Sequence, residues 1–209
     1  MKINNKNHIF SERGITLVEI LVVVFIIALF SSILIADFPK IRRQFALTRA
    51  VYKMNQDLRR ALDMGLSGQQ IKDVNGNAIN VQGYGVYINL DDFRLGNKKY
   101  IIYADTNNDQ QYDSSDTICG QQSNQDCIIE KIDFIKAESG VKIKEIKNTK
   151  DNNQWVDINF KPPNPTVTIT KLSSLTPDTN QVQIIFALES DSLTYRTVFV
   201  NIAGLIEIE

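Results

Sequence analysis

The chain has one histidine, His8, one tryptophan and two cysteines in its 209 residues. With His8 confined to the extreme N-terminus, His-based acid–base catalysis and histidine metal ligands are excluded for the rest of the chain. There is no Gly-rich phosphate loop, no metalloprotease helix and no nucleophile elbow. Carboxylate pairs such as Asp91-Asp92 are sequence neighbours in a turn and point apart. The sequence therefore reads as non-enzymatic. A formal net charge of −1 carries no basic excess of the kind that nucleic acid or an anionic surface attracts. No internal repeat and no low-complexity tract is present.

What is present is one long apolar run. From Ile15 to Ala36 the sole ionisable residue is Glu19. About 22 residues at ~1.5 Å each make a helix of roughly 33 Å, enough for a bilayer core of ~30 Å. A carboxylate inside such a segment costs about 2.5–3.5 kcal/mol on insertion scales, which marks Glu19 as functional. The preceding residues are basic, with Lys2, Lys6 and Arg13 against Glu12. By the positive-inside rule they stay in the cytoplasm and the C-terminus lies outside. The run is too long for a secretory signal peptide, and no small-x-small site follows it.

Arg13-Gly14 followed by Ile15-Thr16-Leu17-Val18-Glu19-Ile20-Leu21 resembles the prepilin signature of type IV pilins and type II secretion pseudopilins. The resemblance implies cleavage by a prepilin peptidase between Gly14 and Ile15, N-methylation of Ile15, and a charge pair between Glu19 and the new amine of a neighbouring subunit. It implies a type IV pilin-like fold of class α+β, in which a long N-terminal helix packs on an antiparallel β-sheet domain. Its partners would be the peptidase, other pilin or pseudopilin subunits in a helical filament, and an inner-membrane assembly platform. The precursor would be a single-pass inner-membrane protein, later part of a pilus or pseudopilus at the cell surface. Two positions depart from the pattern: Ile15 stands where Phe or Met is usual, and the customary helix-bending proline is replaced by Ala36, with Pro39 three residues on.

The division expected is a leader at 1–14, a membrane half-helix at 15–36, an amphipathic half at 37–66 and a β-rich domain at 67–209. In the amphipathic part Phe45, Val51, Met54, Leu58 and Leu62 recur at helical spacing among charged residues, and Gly65, Ser67 and Gly68 are stop signals. Beyond them, strands are expected over 85–88 and 100–103 as a hairpin, then 128–135, 141–146, 155–160, 167–170, 182–188, 195–201 and 205–208. Pro162-Pro163-Asn164-Pro165 reads as an exposed loop. The Tyr-Gly-Val-Tyr strand, the Tyr-Ile-Ile-Tyr-Ala-Asp stretch and a closing hairpin around Ala203-Gly204 loosely resemble the FimT/GspH-like minor pilins and pseudopilins.

Three features of this domain bear on binding. Asp105, Asn107, Asp109, Asp113 and Asp116 stand at the first, third, fifth, ninth and twelfth places of a twelve-residue stretch, with the Gln111 carbonyl at the seventh. That is the spacing of an EF-hand-type Ca2+ loop, with Gln110 where Gly is usual and Asp116 where Glu is usual. A solvated acidic hairpin loop is the alternative. Cys119 and Cys127, enclosing seven residues, read as a disulfide in an exported domain and as two thiols in a cytosolic one. Lys131, Lys136, Lys142, Lys144, Lys147 and Lys150 interleave with Asp133, Glu138, Glu145 and Asp151. They read as a solvated mixed-charge face rather than a DNA-binding one.

The reading is a structural filament subunit, a minor pilin or pseudopilin. The alternatives are a filament-tip or surface protein that captures DNA or adheres, and an anchored domain that never assembles. Mass spectrometry of the N-terminal peptide from cells is expected to give a peptide beginning at Ile15 and one methyl group heavier than the bare sequence. A peptide still beginning at Met1 would remove the prepilin reading.

Overall fold

The computed structural model describes residues 14–73, 75–92, 95–113, 119, 125–138, 140–148, 152–162, 166–170 and 180–209. The leader with His8, and also Asp116, Lys150, Asp151 and Pro163-Asn164-Pro165, lie outside them. The chain forms two compact units, Met1–Ile41 and Arg42–Glu209.

Helix α1 runs over Leu17–Ser67, with Pro39 inside it. It starts where Thr16 caps it: the Glu19 amide donates to Thr16 Oγ1 at 3.2 Å. It stops at Gly68, which takes φ +56 while the Gln69 amide reaches the Met64 carbonyl and the Gly68 amide that of Gly65. These two bonds form a Schellman end. Of the expected stop signals, Gly65 has a different task. A Cβ there would lie 2.6 Å from the Phe160 carbonyl oxygen, so its lack of a side chain lets helix and strand backbones approach.

The second unit adds β1 (Ile71–Lys72), β2 (Ala78–Ile79), β3 (Gly83–Asn89), β4 (Lys99–Asp105), β5 (Cys127–Asp133), α2 (Phe134–Ala137), β6 (Val141–Asn148) and β7 (Asn152–Asn153). It continues with β8 (Trp155–Lys161), β9 (Thr166–Thr170), β10 (Gln181–Leu188), β11 (Tyr195–Asn201) and β12 (Ile206–Ile208). All pairs are antiparallel. β1 and β2 make a ribbon, and the others make two five-stranded sheets, ordered β5-β4-β3-β8-β9 and β12-β11-β10-β6-β7. The expected α+β class, the hairpin between β3 and β4 and the later strands are all present; the antiparallel strands divide into two sheets, and β1, β2 and β7 are additional to those expected.

One apolar cluster joins α1 to both sheets. Leu47, Ala50, Val51, Met54, Leu58 and Ala61 line the helix face, while Phe45, expected on it, is exposed and Leu62 is half-buried. Each strand contributes alternate residues: Tyr84, Val86 and Ile88; Val156, Ile158 and Phe160; Val182, Ile184 and Phe186. Polar links tie the helix down. Buried Asp57 accepts from Lys53 at 2.7 Å and from the Tyr100 hydroxyl at 2.5 Å, and Arg59 donates to the Ile206 carbonyl at 2.8 Å.

Gly65→Ala would raise intrinsic helix propensity by about 1 kcal/mol. The close approach to Phe160 should outweigh that gain, with a net loss of about 1–3 kcal/mol from forced backbone shifts. Urea denaturation of the detergent-solubilised chain followed by near-UV circular dichroism checks the sign; a more stable variant would contradict the contact.

Candidate functional site

Two regions carry the expected functional residues. In the first unit, Gly14 and Ile15 precede the helix, and every residue from Gly14 to Ile41 is exposed. Leu17 is 80 % exposed and Phe30 67 %. This is a helix long and apolar enough to cross a membrane, and none of that apolar stretch is buried among the described residues. Ser32 turns its hydroxyl back to the Leu29 carbonyl at 2.8 Å, satisfying the one polar group it adds to an apolar surface. Glu19 sits third in the helix after the Thr16 cap, the Thr-x-x-Glu arrangement of a capping box. That local role was legible in the spacing of Thr16 and Glu19 but is not part of the family signature. It places the carboxylate at the positive end of the helix dipole, where negative charge is favoured.

The second region is the turn that follows β4. Asp105 accepts from the Asn108 amide at 2.6 Å on one carboxylate oxygen and from the Gln110 amide at 3.1 Å on the other. Asn107 Oδ1 accepts from the Asp109 amide at 3.1 Å, and Asp109 Oδ1 from the Gln111 amide at 2.9 Å. The curl that results has Asn108 at φ 68 and Gln110 at φ 63. Gln110 thus takes the left-handed conformation for which the sixth place of a calcium loop usually carries Gly. A non-glycine residue there costs of order 1–3 kcal/mol unless its surroundings hold it. One contact holds it there: the Gln110 carboxamide oxygen accepts from the Thr168 hydroxyl on β9 at 2.6 Å.

Asn107 Nδ2 stands between two carboxylates, donating to Asp109 at 3.1 Å and Asp113 at 2.7 Å. The expected ligands Asp105, Asn107, Asp109 and Asp113 are therefore brought together by the curl. Among the described residues, no three His, Cys, Asp or Glu side chains converge as a metal-holding group. A cation would have to draw on the amide oxygen of Asn107 and on main-chain carbonyls as well as on carboxylates.

Beneath the curl lies a polar layer that sequence reasoning missed. The face of β4, β3, β8 and β9 turned away from the main cluster carries Tyr103, Asp105, Asp157, Asn159, Thr168 and Thr170, all buried. Gly83 and Gly85 leave a trough on β3; a Cβ at Gly85 would fall on the Tyr103 ring, and one at Gly83 would lie 2.7 Å from Asn159 Oδ1. The Tyr103 hydroxyl donates to Asp157 at 2.5 Å and accepts from Asn159 Nδ2 at 3.1 Å. The Tyr112 amide reaches Asp157 at 2.6 Å, pinning the curl to the sheet.

Asp126, just before β5, joins the same neighbourhood. Its two oxygens accept from the Thr106 and Asp113 amides, each at 3.1 Å. Burial pushes its carboxyl up to about 7, aided by the charges of Asp105 and Asp109 and opposed by those two amides. Burial also raises Asp105 and Asp113, and holds Asp157 well above the ordinary carboxylate range despite the Tyr103 hydroxyl and Tyr112 amide.

Cys119 is half-buried and Cys127 buried; both stand as thiols, so the expected disulfide is not formed in this structure. The lysines do not form one row. Lys131 is on β5 of one sheet, while Lys142, Lys144 and Lys147 are on β6 of the other, where Lys147 meets Glu145 at 3.1 Å and Lys144 reaches the Ser192 carbonyl at 3.2 Å.

No family model matches the chain, and no curated protein matches it significantly. Among solved structures, it is similar to the type IV minor pilin FimU of Pseudomonas aeruginosa in two crystal forms. One match has 16 % identity and a TM-score of 0.43, covering 78 % of this chain and 87 % of that one. The other has 15 % identity and a TM-score of 0.42, covering 78 % and 92 %.

The buried tyrosine is the pivot of the polar layer. Tyr103→Phe would leave Asp157 and Asn159 each short of a partner, at a cost of about 1–3 kcal/mol for the stranded groups. Chemical denaturation of the variant beside the parent measures this, and an unchanged midpoint would show that the hydroxyl is dispensable.

Proposed function

We propose that this chain is a structural subunit, a minor pilin or pseudopilin, of a type IV pilus or type II secretion-like filament. The observation that carries the reading is the uncovered apolar helix headed by Gly14-Ile15 with Glu19 as its lone charge. Such a surface needs lipid before assembly and neighbouring helices afterwards. A prepilin peptidase would cut between Gly14 and Ile15 and methylate Ile15, and an inner-membrane platform would pass the subunit into the filament. The new amine would lie at the positive end of α1, where a second positive charge is disfavoured. A carboxylate from a neighbour's Glu19 offsets that charge and sets the stagger of one apolar helix on the next. Exported, Cys119 and Cys127 would close as a disulfide, which would show as resistance of both thiols to alkylation before reduction.

Glu19→Gln keeps the length and the helix but removes the charge. The variant is expected to insert into the membrane at parental levels and to be depleted from sheared filaments, read by immunoblot of membrane and filament fractions. Parental incorporation would sink the charge-pair mechanism.

A further inference from the structure

The curl after β4 and the polar layer under it gather several buried acceptor groups, and among the described residues one buried side-chain oxygen there, that of Asn159, is left without a donor. Asp105, Asp126 and Asp157 are at most 2 % exposed. A separate observation comes from β8. Asn159 is fully buried, and its side-chain oxygen has no hydrogen-bond partner. Its amide nitrogen is turned to the Tyr103 hydroxyl, so the oxygen is turned the other way, over Gly83. Gly83 is the register partner of Asp105 on β4, and β3 lies between β4 and β8. The orphan carbonyl therefore leans across the glycine trough towards the Asp105 carboxylate. A buried amide oxygen without a donor costs about as much as a lost hydrogen bond, and one turned towards a buried anion gains nothing from it. Both oxygens are satisfied by a single kind of guest, a hard cation or the water bound to one.

We propose that the Asp105–Asp113 curl and Asp126 form a site for one hard divalent cation of the calcium class. The ligands would be drawn from the carboxylates of Asp105, Asp109, Asp113 and Asp126, which do not converge as they stand and would close on the ion as it binds, together with the side-chain oxygen of Asn107 and the main-chain carbonyl of Gln111, with Asn159 facing the same centre from below. Asp126 takes the closing place that spacing alone assigned to Asp116. The Asn107 amide nitrogen, now bridging Asp109 and Asp113, gives way to the ion. All-protein oxygen ligation on a curled loop suits Ca2+, whereas Mg2+ keeps several waters and demands near-ideal octahedral geometry. The site is independent of the filament reading, since it draws on no residue of the N-terminal helix.

The test is calorimetric titration of CaCl2 into the detergent-solubilised, chelator-treated full chain. Tb3+ luminescence, excited through the tyrosines around the curl, reports on the same location. Saturable binding of one ion per chain is expected, with a Kd at or below the ~10⁻⁴–10⁻³ M of extracellular calcium modules. The melting temperature should rise with CaCl2 and not with equal MgCl2. Asp109→Asn and Asp126→Asn should each weaken binding by about tenfold or more. Asp109 is exposed, so its variant keeps the fold and carries the test even if the buried Asp126 variant does not accumulate. Lack of saturation by about 10 mM CaCl2, well past the range of such modules, would overturn the site. So would parental affinity in Asp109→Asn. Parental affinity in a folded Asp126→Asn protein would remove Asp126 from the ligand set and return the closing place to another residue.

Discussion

An apolar helix that its own chain leaves bare is the constraint on which the rest of this structure depends. At about 25 cal/mol per Å² of apolar surface, a segment such as Ile15–Ala36 is strongly disfavoured in water. It obliges the protein to live in lipid or against other helices, and it makes Glu19 the one position where charge can discriminate between arrangements. The C-terminal part of α1 answers a different demand. From Ala46 onward its small and apolar residues enter the common core, while Lys53 pairs with Asp57 on the same helix and Arg59 and Arg60 reach the Ile206 carbonyl and Glu130 on the strands. The same helix is thus built to two specifications, the first apolar and exposed, the second turned inward to its own domain.

In the sheet ordered β5-β4-β3-β8-β9, the part formed by β3, β4, β8 and β9 is largely buried on both faces, which is unusual for antiparallel strands. One face is ordinary core. The other is kept dry by the curl after β4 and by a small aromatic group, in which Tyr103 and Tyr112 lie 5.3 Å apart and Tyr87 and Tyr112 5.0 Å apart. Two glycines make room for this second layer. Tyr103 spends its bulk over Gly85 and its hydroxyl on Asp157, so packing and charge compensation converge in one residue.

Much of the architecture was legible in the sequence because it rests on local signals. The helix length, its stop near Gly68, the hairpin of β3 and β4 and the last three strands all follow from periodicity and turn residues. The curl was legible too, since the spacing of Asp105, Asn107 and Asp109 dictates the side-chain-to-amide bonds that shape it. What could not be read was pairing across the chain. Nothing near Asp157 or Asn159 in sequence says that β8 will lie beside β3, so the polar layer was invisible. Likewise Gly65 resembled a stop signal, because only the approach of Phe160 distinguishes a packing glycine from a capping one. Asp126 was passed over for the same reason: it falls outside the twelve-residue spacing and reaches the curl through space.

The bond from Arg59 to the carbonyl of Ile206 has a consequence in time. Residues of α1 share their cluster with Val182, Ile184, Val198 and Ile206, which leave the ribosome more than a hundred positions later. Closing so long a loop is slow and can begin only once the last strand exists. The inner face of the helix must therefore wait, uncovered, until β12 has been made. Anchoring by the N-terminal segment needs no such delay. The order of events is built into the topology: the apolar N-terminal segment is complete long before the domain can close around the second half of the helix.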